Sequence, residues 1–450
     1  MNTLLWQTPP MKRRNFLKSS LVGGLTFPAI VKSQDQHAGM KVAGVGVGGM
    51  GKSNLTNLVG ADVVALCDVD HQHAQSVFDA YPGARRYFDI AEMLDQQPEI
   101  EGVVIATPDH THASLVKAAL EAGKHVYCQK PLTHDIAEAR YLAGLAAKFP
   151  DAVAVMGNQF HSSAGMAQIH DWIGAGLIGE VSRVVAWCDL TYRPFGHARW
   201  STLLDRPAKE SRPIPASLDW SLWMGPREMR PYHPTYHPGR WRAWWDFGCG
   251  MMGDRGVHTL DAACYILDLT APDTIELKSI EGENEYVHPD KAHIVYRFPE
   301  RNGKPPLTLD WYSGSKPAEV NELTKGGPAG DDQGGALFIG SRGMISHGTY
   351  PARIRLHPGD LKQDAAEISA VHPRFKDSHE TVWVKACQGR GPSASDFAYA
   401  AKLTELTHLG NLAINLGGKI KWDAVHARVT NRPEAADLIA RPRRKGWTLD

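Results

Sequence analysis

Residues 41–51, KVAGVGVGGMG, decide the fold. Their apolar start predicts a short buried strand, which runs directly into a glycine-rich turn and then into a helical stretch at 52–58. Glycines 46, 48 and 51 fit the pattern G-x-G-x-x-G, and glycines 44, 46 and 49 fit it as well. We choose the register Gly46, Gly48 and Gly51. It places the turn at the strand's end, where backbone N–H groups and the helix N-terminus can meet a pyrophosphate.

A second buried strand is predicted at 63–67, and it ends at Asp68, twenty-two residues after Gly46. In a dinucleotide-binding unit, a carboxylate at this spacing accepts hydrogen bonds from the ribose hydroxyls. The same carboxylate would repel the 2′-phosphate of NADP. The sequence therefore predicts an NAD site, with NADP disfavoured.

Strand and helix patterns then alternate as far as residue 156. Such alternation predicts a parallel, doubly wound Rossmann sheet that binds ligands at the carboxyl ends of its strands. Residues just past these ends are therefore candidates for the site. We assign Thr107, Pro108, His110 and Lys130 to the cofactor and Asn158 to the substrate.

After residue 160 the pattern changes to strands in succession. The segments at 274–280, 292–298, 307–312, 336–340 and 353–356 follow one another without helices between them. This order predicts an α+β domain with a large open antiparallel sheet. The predicted organisation is an N-terminal segment at 1–39, a Rossmann domain at 40–160 and a substrate and oligomerisation domain at 161–450.

Composition excludes several classes of partner and site. Lys+Arg and Asp+Glu are equal at 49 each, so the net charge is zero and the chain lacks the basic footprint of a nucleic-acid-binding protein. The six cysteines form no C-x-x-C pair and are expected to be free thiols. The histidine pairs 110/112 and 233/237 have no acidic or cysteine cluster beside them, so no metal site is predicted.

The first residues predict export. Residues 12–18, KRRNFLK, form a twin-arginine pattern, and an uncharged stretch at 19–31 follows it. That stretch is too short to span a bilayer, which indicates an export signal rather than an anchor. We expect a periplasmic or exported protein that uses the twin-arginine machinery. No clean cleavage site is visible, so a retained N-terminal tether stays open.

Several motifs occur together in a fixed order, and together they resemble the Gfo/Idh/MocA oxidoreductases. They are the glycine turn, ATPDHTH at 106–112, QKP at 129–131 and GDRGVHTLD at 253–261. GNQFH at 157–161 and the stretch at 232–248 resemble the twin-arginine-exported branch of that family. The resemblance implies sugar or inositol dehydrogenase activity, NAD and a homo-oligomer. It also implies that Lys130 is the acid–base lysine, His258 the proton acceptor and Asp254 the partner of His258.

Hydride transfer from a carbinol needs a base for the hydroxyl proton and a donor for the developing alkoxide. Asp254 and His258 lie four residues apart on a predicted helix, so the carboxylate could orient the imidazole. Partial burial of Lys130 would lower its pKa toward neutrality. Many relatives carry Glu before this lysine, whereas this chain has Gln129. We therefore expect a lysine without a neighbouring carboxylate.

Aromatic residues and histidines predict a carbohydrate cleft. The chain has 13 tryptophans, and seven of them fall between residues 187 and 245. Sugar rings stack their C–H faces on indole, and polar side chains bind their hydroxyls. We assign substrate binding to Asn158, His161, Tyr236, His237, Trp244 and Trp245.

Three functions remain open. The first is NAD-dependent oxidation of a sugar, cyclitol or glycoside. The second is redox-neutral cleavage of a glycoside by a glycosidase or lyase that retains and recycles its NAD. The third, a periplasmic sugar-binding protein without catalysis, fits the Lys130, Asp254 and His258 set least well.

Overall fold

The glycine segment begins a six-stranded parallel sheet. The computed structural model describes residues 39–192, 200–269 and 271–449, so the twin-arginine pattern lies outside the described residues. The strands are β1 (Met40–Val45), β2 (Ala61–Cys67), β3 (Arg85–Tyr87), β4 (Gly102–Ile105), β5 (His125–Gln129) and β6 (Ala154–Gly157). They lie in the order β3-β2-β1-β4-β5-β6, all parallel. The predicted Rossmann sheet is confirmed; the short strand β3 was not predicted.

Helices connect these strands and cover both faces of the sheet. They are α1 (Lys52–Thr56), α2 (His71–Ala80), α3 (Ile90–Gln96), α4 (His112–Glu121) and α5 (Ile136–Ala146). An aspartate begins three of them: the side chains of Asp70, Asp89 and Asp135 accept backbone N–H bonds at the first turns of α2, α3 and α5. The strands are apolar because both faces are buried; Val103, Val104 and Ile105 are at most 1% exposed.

The second domain contains a nine-stranded mixed sheet. Its elements are α6 (Ala164–Gly174), β7 (Val181–Cys188), α7 (Trp220–Met224), α8 (Val257–Thr259), α9 (Asp261–Leu267), β8 (Thr274–Glu281), β9 (Lys291–Phe298), β10 (Leu307–Ser313), α10 (Ala318–Leu323), β11 (Gly334–Gly340), β12 (Met344–Gly348), β13 (Arg355–His357), α11 (Leu361–Glu367), α12 (His379–Cys387), α13 (Phe397–Leu416), β14 (Lys419–Asp423), β15 (Arg428–Val429) and α14 (Ala436–Ile439). The strand order is β13-β12-β11-β7-β10-β9-β8-β14-β15.

The sheet is not wholly antiparallel as predicted. Strand β7 pairs with β10 in parallel, and the other pairs in this sheet are antiparallel. Parallel neighbours need a long connection, and the segment between β7 and β10 is more than a hundred residues long. Strand β7 therefore enters the middle of the sheet, between β10 and β11, which sequence order alone does not indicate.

The helix predicted at 253–267 is divided. A π-helical turn spans Met252–Gly256, and α8 and α9 follow it with a break at Leu260. In the π-turn the N–H of Val257 donates to the carbonyl of Met252, five residues earlier. A π-turn inside a helix is frequently found at a functional site.

Helices from the end of the chain pack on the first sheet. Trp383 of α12 is 1% exposed, and its ring lies against the position where Gly102 would carry a Cβ. Helix α13 packs along α5 and also contacts β6 and β8. The chain after α14 returns to the first domain, where Arg443 forms an ion pair with Glu138 of α5. Within the described ranges, no helix is both long and apolar enough to cross a membrane.

Candidate active site

A cavity of about 1010 Å³ lies where the carboxyl ends of β1, β2, β4 and β5 face the second domain. The glycine turn, Asp68 and the residues after β4 border one part of it. Lys130, Asp254 and His258 border another part. The cavity thus brings together the predicted cofactor and catalytic residues, although they come from distant parts of the chain.

The glycine turn needs glycine at two positions, and at a third a Cβ would meet a neighbouring side chain. Gly46 has φ +76°, and a Cβ there would lie 2.8 Å from the backbone nitrogen of Thr107. A Cβ at Gly51 would lie 2.3 Å from the carbonyl oxygen of Gly46, and one at Gly48 would lie 2.3 Å from the ring of His73. A Cβ at Gly49 would meet nothing within 4 Å. These distances favour the register Gly46, Gly48 and Gly51.

The carboxylate of Asp68 is hydrogen-bonded to this turn. It accepts hydrogen bonds from the N–H of Val47 at 2.8 Å and of Gly48 at 3.0 Å, and its other oxygen accepts from Asp70 N–H at 2.9 Å. Burial raises the pKa of Asp68 above its ordinary value, and the backbone N–H donors oppose that rise. Asp68 therefore shapes the turn and also presents its carboxylate to the cavity.

Two of the three residues assigned to the cofactor after β4 line the cavity, and one does not. Thr107 and Pro108 lie on its wall. His110 is fully buried, with ring nitrogens 3.3 Å from the Phe247 carbonyl and 2.9 Å from the Trp223 carbonyl. Burial lowers the pKa of His110 to about 3. The assignment of His110 to the cofactor is wrong, because the ring binds backbone of the second domain and joins the two domains.

Lys130 has a carboxylate neighbour, contrary to expectation. Its Nζ forms an ion pair with the carboxylate of Asp254 and donates to the Asp254 carbonyl at 2.9 Å. The hydroxyl of Tyr192 donates to the other carboxylate oxygen of Asp254. Gln129 instead donates to Asn54 at 3.0 Å. The counter-charge comes from the second domain, which the residue preceding the lysine could not reveal.

Asp254 lies among positive charges. Burial alone would raise its pKa, but Lys130, Arg255 and Arg242 hold the pKa of this carboxyl far below its usual range. The carboxylate is therefore charged at neutral pH. Its two oxygens are occupied by Lys130 and Tyr192.

The predicted pairing of Asp254 with His258 is absent. Among the described residues, Nδ1 of His258 has no hydrogen-bond partner. The π-turn widens the helix between the two residues, so side chains four apart no longer align as in an α-helix. Asp254 instead turns to Lys130, and His258 packs edge-to-face on Tyr350 with ring centroids 4.8 Å apart.

His258 is a neutral, buried imidazole on the cavity wall. It is 4% exposed, and burial lowers its pKa well below the ordinary value. The positive charge of Lys130 lowers the pKa further, and the carboxylate of Asp254 partly opposes this. Such a ring can accept a proton at neutral pH.

Most residues assigned to the substrate lie elsewhere. Only His237 borders the cavity, where its Nε2 contacts the Asp70 carboxylate at 2.8 Å. Although burial opposes it, hydrogen bonds from His237 and Ser217 lower the pKa of Asp70 to about 2. Asn158, His161, Tyr236, Trp244 and Trp245 are at most 9% exposed and do not border this cavity.

Four of these five residues have structural contacts instead. His161 bonds to Asp261 at 2.9 Å. Trp244 donates to the Thr235 carbonyl at 3.0 Å, and Tyr236 packs against the Trp244 ring. Trp245 packs on His288, while no contact of the Asn158 amide with a described polar atom is found. The type of a residue does not reveal whether its side chain faces a cavity when it lies in an irregular segment, so these assignments were wrong.

Several cavity residues were not predicted. Tyr192 follows β7, Arg255 lies inside the quoted GDRG motif, and Tyr350 follows β12. Arg242 and Gln159 also border the cavity. For Arg255 a signal existed, because it is adjacent to Asp254 in a π-turn. Of the seven tryptophans between 187 and 245, the cavity is bordered by Trp200, Trp223 and Trp241.

In the part of the chain that the structure describes, no group of three or more His, Cys, Asp or Glu side chains is arranged to hold a metal ion. His112, the partner of His110 in the sequence, lies with its ring nitrogens 2.9 Å from the carbonyls of Pro131 and of Thr107. This histidine holds the loop after β5 against the loop after β4. It thereby supports the backbone that follows Lys130.

Two family models match the chain. One describes the NAD-binding Rossmann fold of an oxidoreductase family and matches residues 40–156; the other describes the C-terminal alpha/beta domain of that family and matches residues 194–300. The fold and these matches define the class of the protein, an oxidoreductase with an NAD-binding Rossmann domain. The chain belongs to the Gfo/Idh/MocA family.

Curated relatives and solved structures agree with this family. Inositol 2-dehydrogenase of Salmonella typhimurium LT2 is 30% identical over 146 residues, 31% of this chain and 43% of that protein. The uncharacterized oxidoreductase YdgJ of Escherichia coli K12 is 37% identical over 208 residues, 46% of this chain and 47% of that protein. The chain thus aligns with less than half the length of these relatives.

The structure of the WlbA dehydrogenase from Bordetella pertussis, in complex with NADH and UDP-GlcNAcA, is similar in fold. It matches with a TM-score of 0.59 and 15% identity, over 86% of this chain and 99% of that chain. At this identity the similarity concerns the fold alone.

The glycine turn can be tested by one methyl group. In Gly51→Ala the new Cβ would collide with the Gly46 carbonyl, so we expect NAD affinity to fall about tenfold or more. Gly144→Ala in α5 is the matched control, because a Cβ there meets nothing within 4 Å. The control should keep NAD affinity and raise stability by about 0.5–1 kcal/mol. Calorimetric titration and thermal unfolding measure both; unchanged affinity in Gly51→Ala would contradict the register.

Proposed function

We propose that the protein is an NAD-dependent oxidoreductase that oxidises a carbinol of a sugar, cyclitol or glycoside by hydride transfer. The observation that carries this proposal is the arrangement of Lys130, Asp254 and His258 on the wall of a cavity that the glycine turn also borders. An ion pair and a neutral imidazole beside a dinucleotide site supply the groups that carbinol oxidation requires.

The residues of the first domain fit a dinucleotide. Gly46, Gly48 and Gly49 of the turn border the cavity, and the absence of side chains there lets a ligand approach the backbone closely. Asp68 lies at the end of β2, where a carboxylate accepts from ribose hydroxyls and disfavours a 2′-phosphate. When bound, the nicotinamide supplies the hydride acceptor. NAD is therefore the proposed cofactor.

The protein's own groups would handle the proton. His258 is a neutral imidazole on the cavity wall, so the ring can take the hydroxyl proton of a carbinol. The ammonium of Lys130, which Asp254 holds in place, can donate a hydrogen bond to the oxygen as negative charge develops there. Tyr192 fixes Asp254 from the opposite side.

A carbohydrate-like substrate is supported by the aromatic wall of the cavity. Trp200, Trp223 and Trp241 border it, and His237 adds a polar group. Indole faces beside hydrogen-bonding groups suit a ring with C–H faces and hydroxyls. The relatives point the same way, since they include an inositol 2-dehydrogenase.

Redox-neutral cleavage of a glycoside is the second candidate. Here a ring carbinol is oxidised, the glycosidic bond is eliminated, water adds and the hydride returns, so no net NADH forms. The tail of the chain favours a retained cofactor: residues 446–448 border the cavity beside α4, and Arg443 fastens this tail to Glu138. The proposed twin-arginine export to the periplasm would make retention of NAD useful, because free NAD is scarce there.

A homo-oligomer also remains a proposal.

One experiment separates these candidates. The full chain is purified without added cofactor, bound NAD is quantified, and the protein is supplied with free sugars, inositols and aryl glycosides. Net absorbance at 340 nm supports the dehydrogenase, and aglycone release without net NADH supports redox-neutral cleavage. Sugar binding without either product would contradict both and leave the non-catalytic sugar-binding protein.

Lys130→Met tests the catalytic ion pair. The variant keeps most of the aliphatic stem but removes the ammonium, so turnover should fall by at least about a hundredfold, typical of a lost acid–base or charge-stabilising group. NAD affinity should stay within about twofold. Lys385→Met is the control, since Lys385 pairs with Asp377 at the surface. Full activity of Lys130→Met would show that the site is assigned wrongly.

The pH dependence follows from His258. Because its pKa lies well below the ordinary 6.5, the ring stays neutral, and able to accept a proton, as pH falls through 6.5. The acid limb of kcat/KM should therefore lie below the ordinary histidine range. A pH profile with saturating NAD measures it. An acid limb centred near 6.5 would count against His258 as the proton acceptor.

Asp68→Asn tests the choice of dinucleotide. Asparagine keeps an oxygen for the N–H groups of Val47 and Gly48 but removes the charge. We expect the preference for NAD over NADP to fall about tenfold, because the repulsion of the 2′-phosphate is lost. Asp62→Asn, at the exposed start of the same strand, is the control. An unchanged ratio of NAD to NADP affinities in Asp68→Asn would overturn the assignment.

A further inference from the structure

Several buried and half-buried arginines of this fold pair with carboxylates. Examples are Arg140 with Glu405 at 2.7 Å, Arg183 with Asp310 and Glu319 at 2.8 Å, Arg374 with Asp171 at 2.7 Å, and Arg443 with Glu138. Arg242 and Arg255, both on the cavity wall, are different. Within the described residues, no carboxylate forms an ion pair with either guanidinium.

Arg255 is the more buried of the two. It is 9% exposed, and its Nε is buried without a hydrogen-bond partner among the described residues. Its Nη1 donates to the hydroxyl of Tyr350 at 3.3 Å, a long hydrogen bond. A buried guanidinium with unused donors is costly unless an anion satisfies it.

Arg242 is held at the same cavity by aromatic rings. Its guanidinium carbon lies 4.7 Å from the ring centroid of Trp200 and 4.3 Å from that of Trp241. Its Nη1 donates to the Gly239 carbonyl at 3.2 Å. Stacking fixes the plane of a guanidinium while leaving its edge available for a ligand.

Charges around this part of the cavity do not balance. Lys130, Arg242 and Arg255 carry three positive charges, and Asp109 and Asp254 can carry two negative ones. Asp254 is occupied by Lys130 and Tyr192, and Asp109 accepts from the N–H of Cys249 at 3.0 Å. Among the described residues, at least one of these positive charges therefore has no carboxylate partner.

We propose that the substrate carries an anionic substituent, which Arg255 and Arg242 bind while the carbinol lies at Lys130 and His258. The proposal rests on the proposed function and narrows its substrate class to sugar acids, their glycosides, or sugars with an equivalent acidic ester. A guanidinium forms two parallel hydrogen bonds with a carboxylate and matches a sulfate or phosphate equally well.

Binding to the NAD-loaded full chain tests this directly. Calorimetry compares D-glucuronate and D-galacturonate with D-glucose and D-galactose, and adds the 6-sulfates and 6-phosphates of both sugars. We expect at least one anionic sugar to bind about tenfold or more tightly than its neutral counterpart, as expected for hydrogen bonds to a charged group. The tightest-binding series identifies the acid as carboxylate or ester.

Arg255→Met should remove this preference, because the guanidinium that binds the acid is lost. Arg255→Lys keeps the positive charge but loses the paired N–H donors of the guanidinium, so it should retain part of the preference for anionic sugars. Arg242→Met is a second, less buried variant that tests the proposal if Arg255→Met does not fold. Arg428→Met, at an exposed pair with Asp423, is the control and should change nothing.

Two outcomes would overturn the proposal: equal binding of anionic and neutral sugars by the unaltered protein, or an anionic preference that survives in both methionine variants. The proposed function is assessed separately, by turnover. Oxidation or cleavage of neutral sugars without an anionic preference would leave the function standing and remove only the anion site. Arginine-dependent binding of an acidic sugar without turnover would support the anion site and contradict the proposed function.

Discussion

The ion pair between Lys130 and Asp254 connects the two halves of the site. Lys130 follows β5 of the first sheet, whereas Asp254 lies in the π-turn of the second domain. Each charge is largely withdrawn from water, with side chains 15% exposed, so each depends on the other. Breaking the pair would leave a buried charge on both sides. The position of the second domain over the first is therefore coupled to the charges of Lys130 and Asp254.

The same arrangement determines the state of His258. Burial and the adjacent ammonium disfavour the imidazolium, and the carboxylate that could have stabilised it is directed at Lys130. The π-turn is the structural cause, because it separates Asp254 from His258 and points the carboxylate toward the first domain. A regular α-helix would pair the acid with the histidine and weaken both the interdomain ion pair and the neutrality of the ring.

The assigned residues that border the cavity differ from those that do not in the kind of sequence signal behind the assignment. Gly46, Gly48 and Asp68 lie on the cavity wall, and each was assigned from local chain geometry or from a strand end. Trp244 and His161 were placed there by residue type, yet they are buried on other contacts. Residue type predicts that a side chain can bind a sugar, but not which surface of an irregular segment it faces.

The sequence by itself determined the Rossmann half, the glycine register that the geometry favours and the candidate residues Lys130, Asp254 and His258. These features follow from short-range patterns: strand periodicity, a turn whose Gly46 and Gly51 leave no room for a Cβ, and motifs of fixed spacing. Only the tertiary structure decided that Asp254 forms an ion pair with Lys130 and that β7 inserts in parallel into the second sheet. It also decided that Arg242 and Arg255 border the cavity without a carboxylate partner among the described residues. Such features depend on contacts between residues a hundred or more positions apart, which local patterns do not encode.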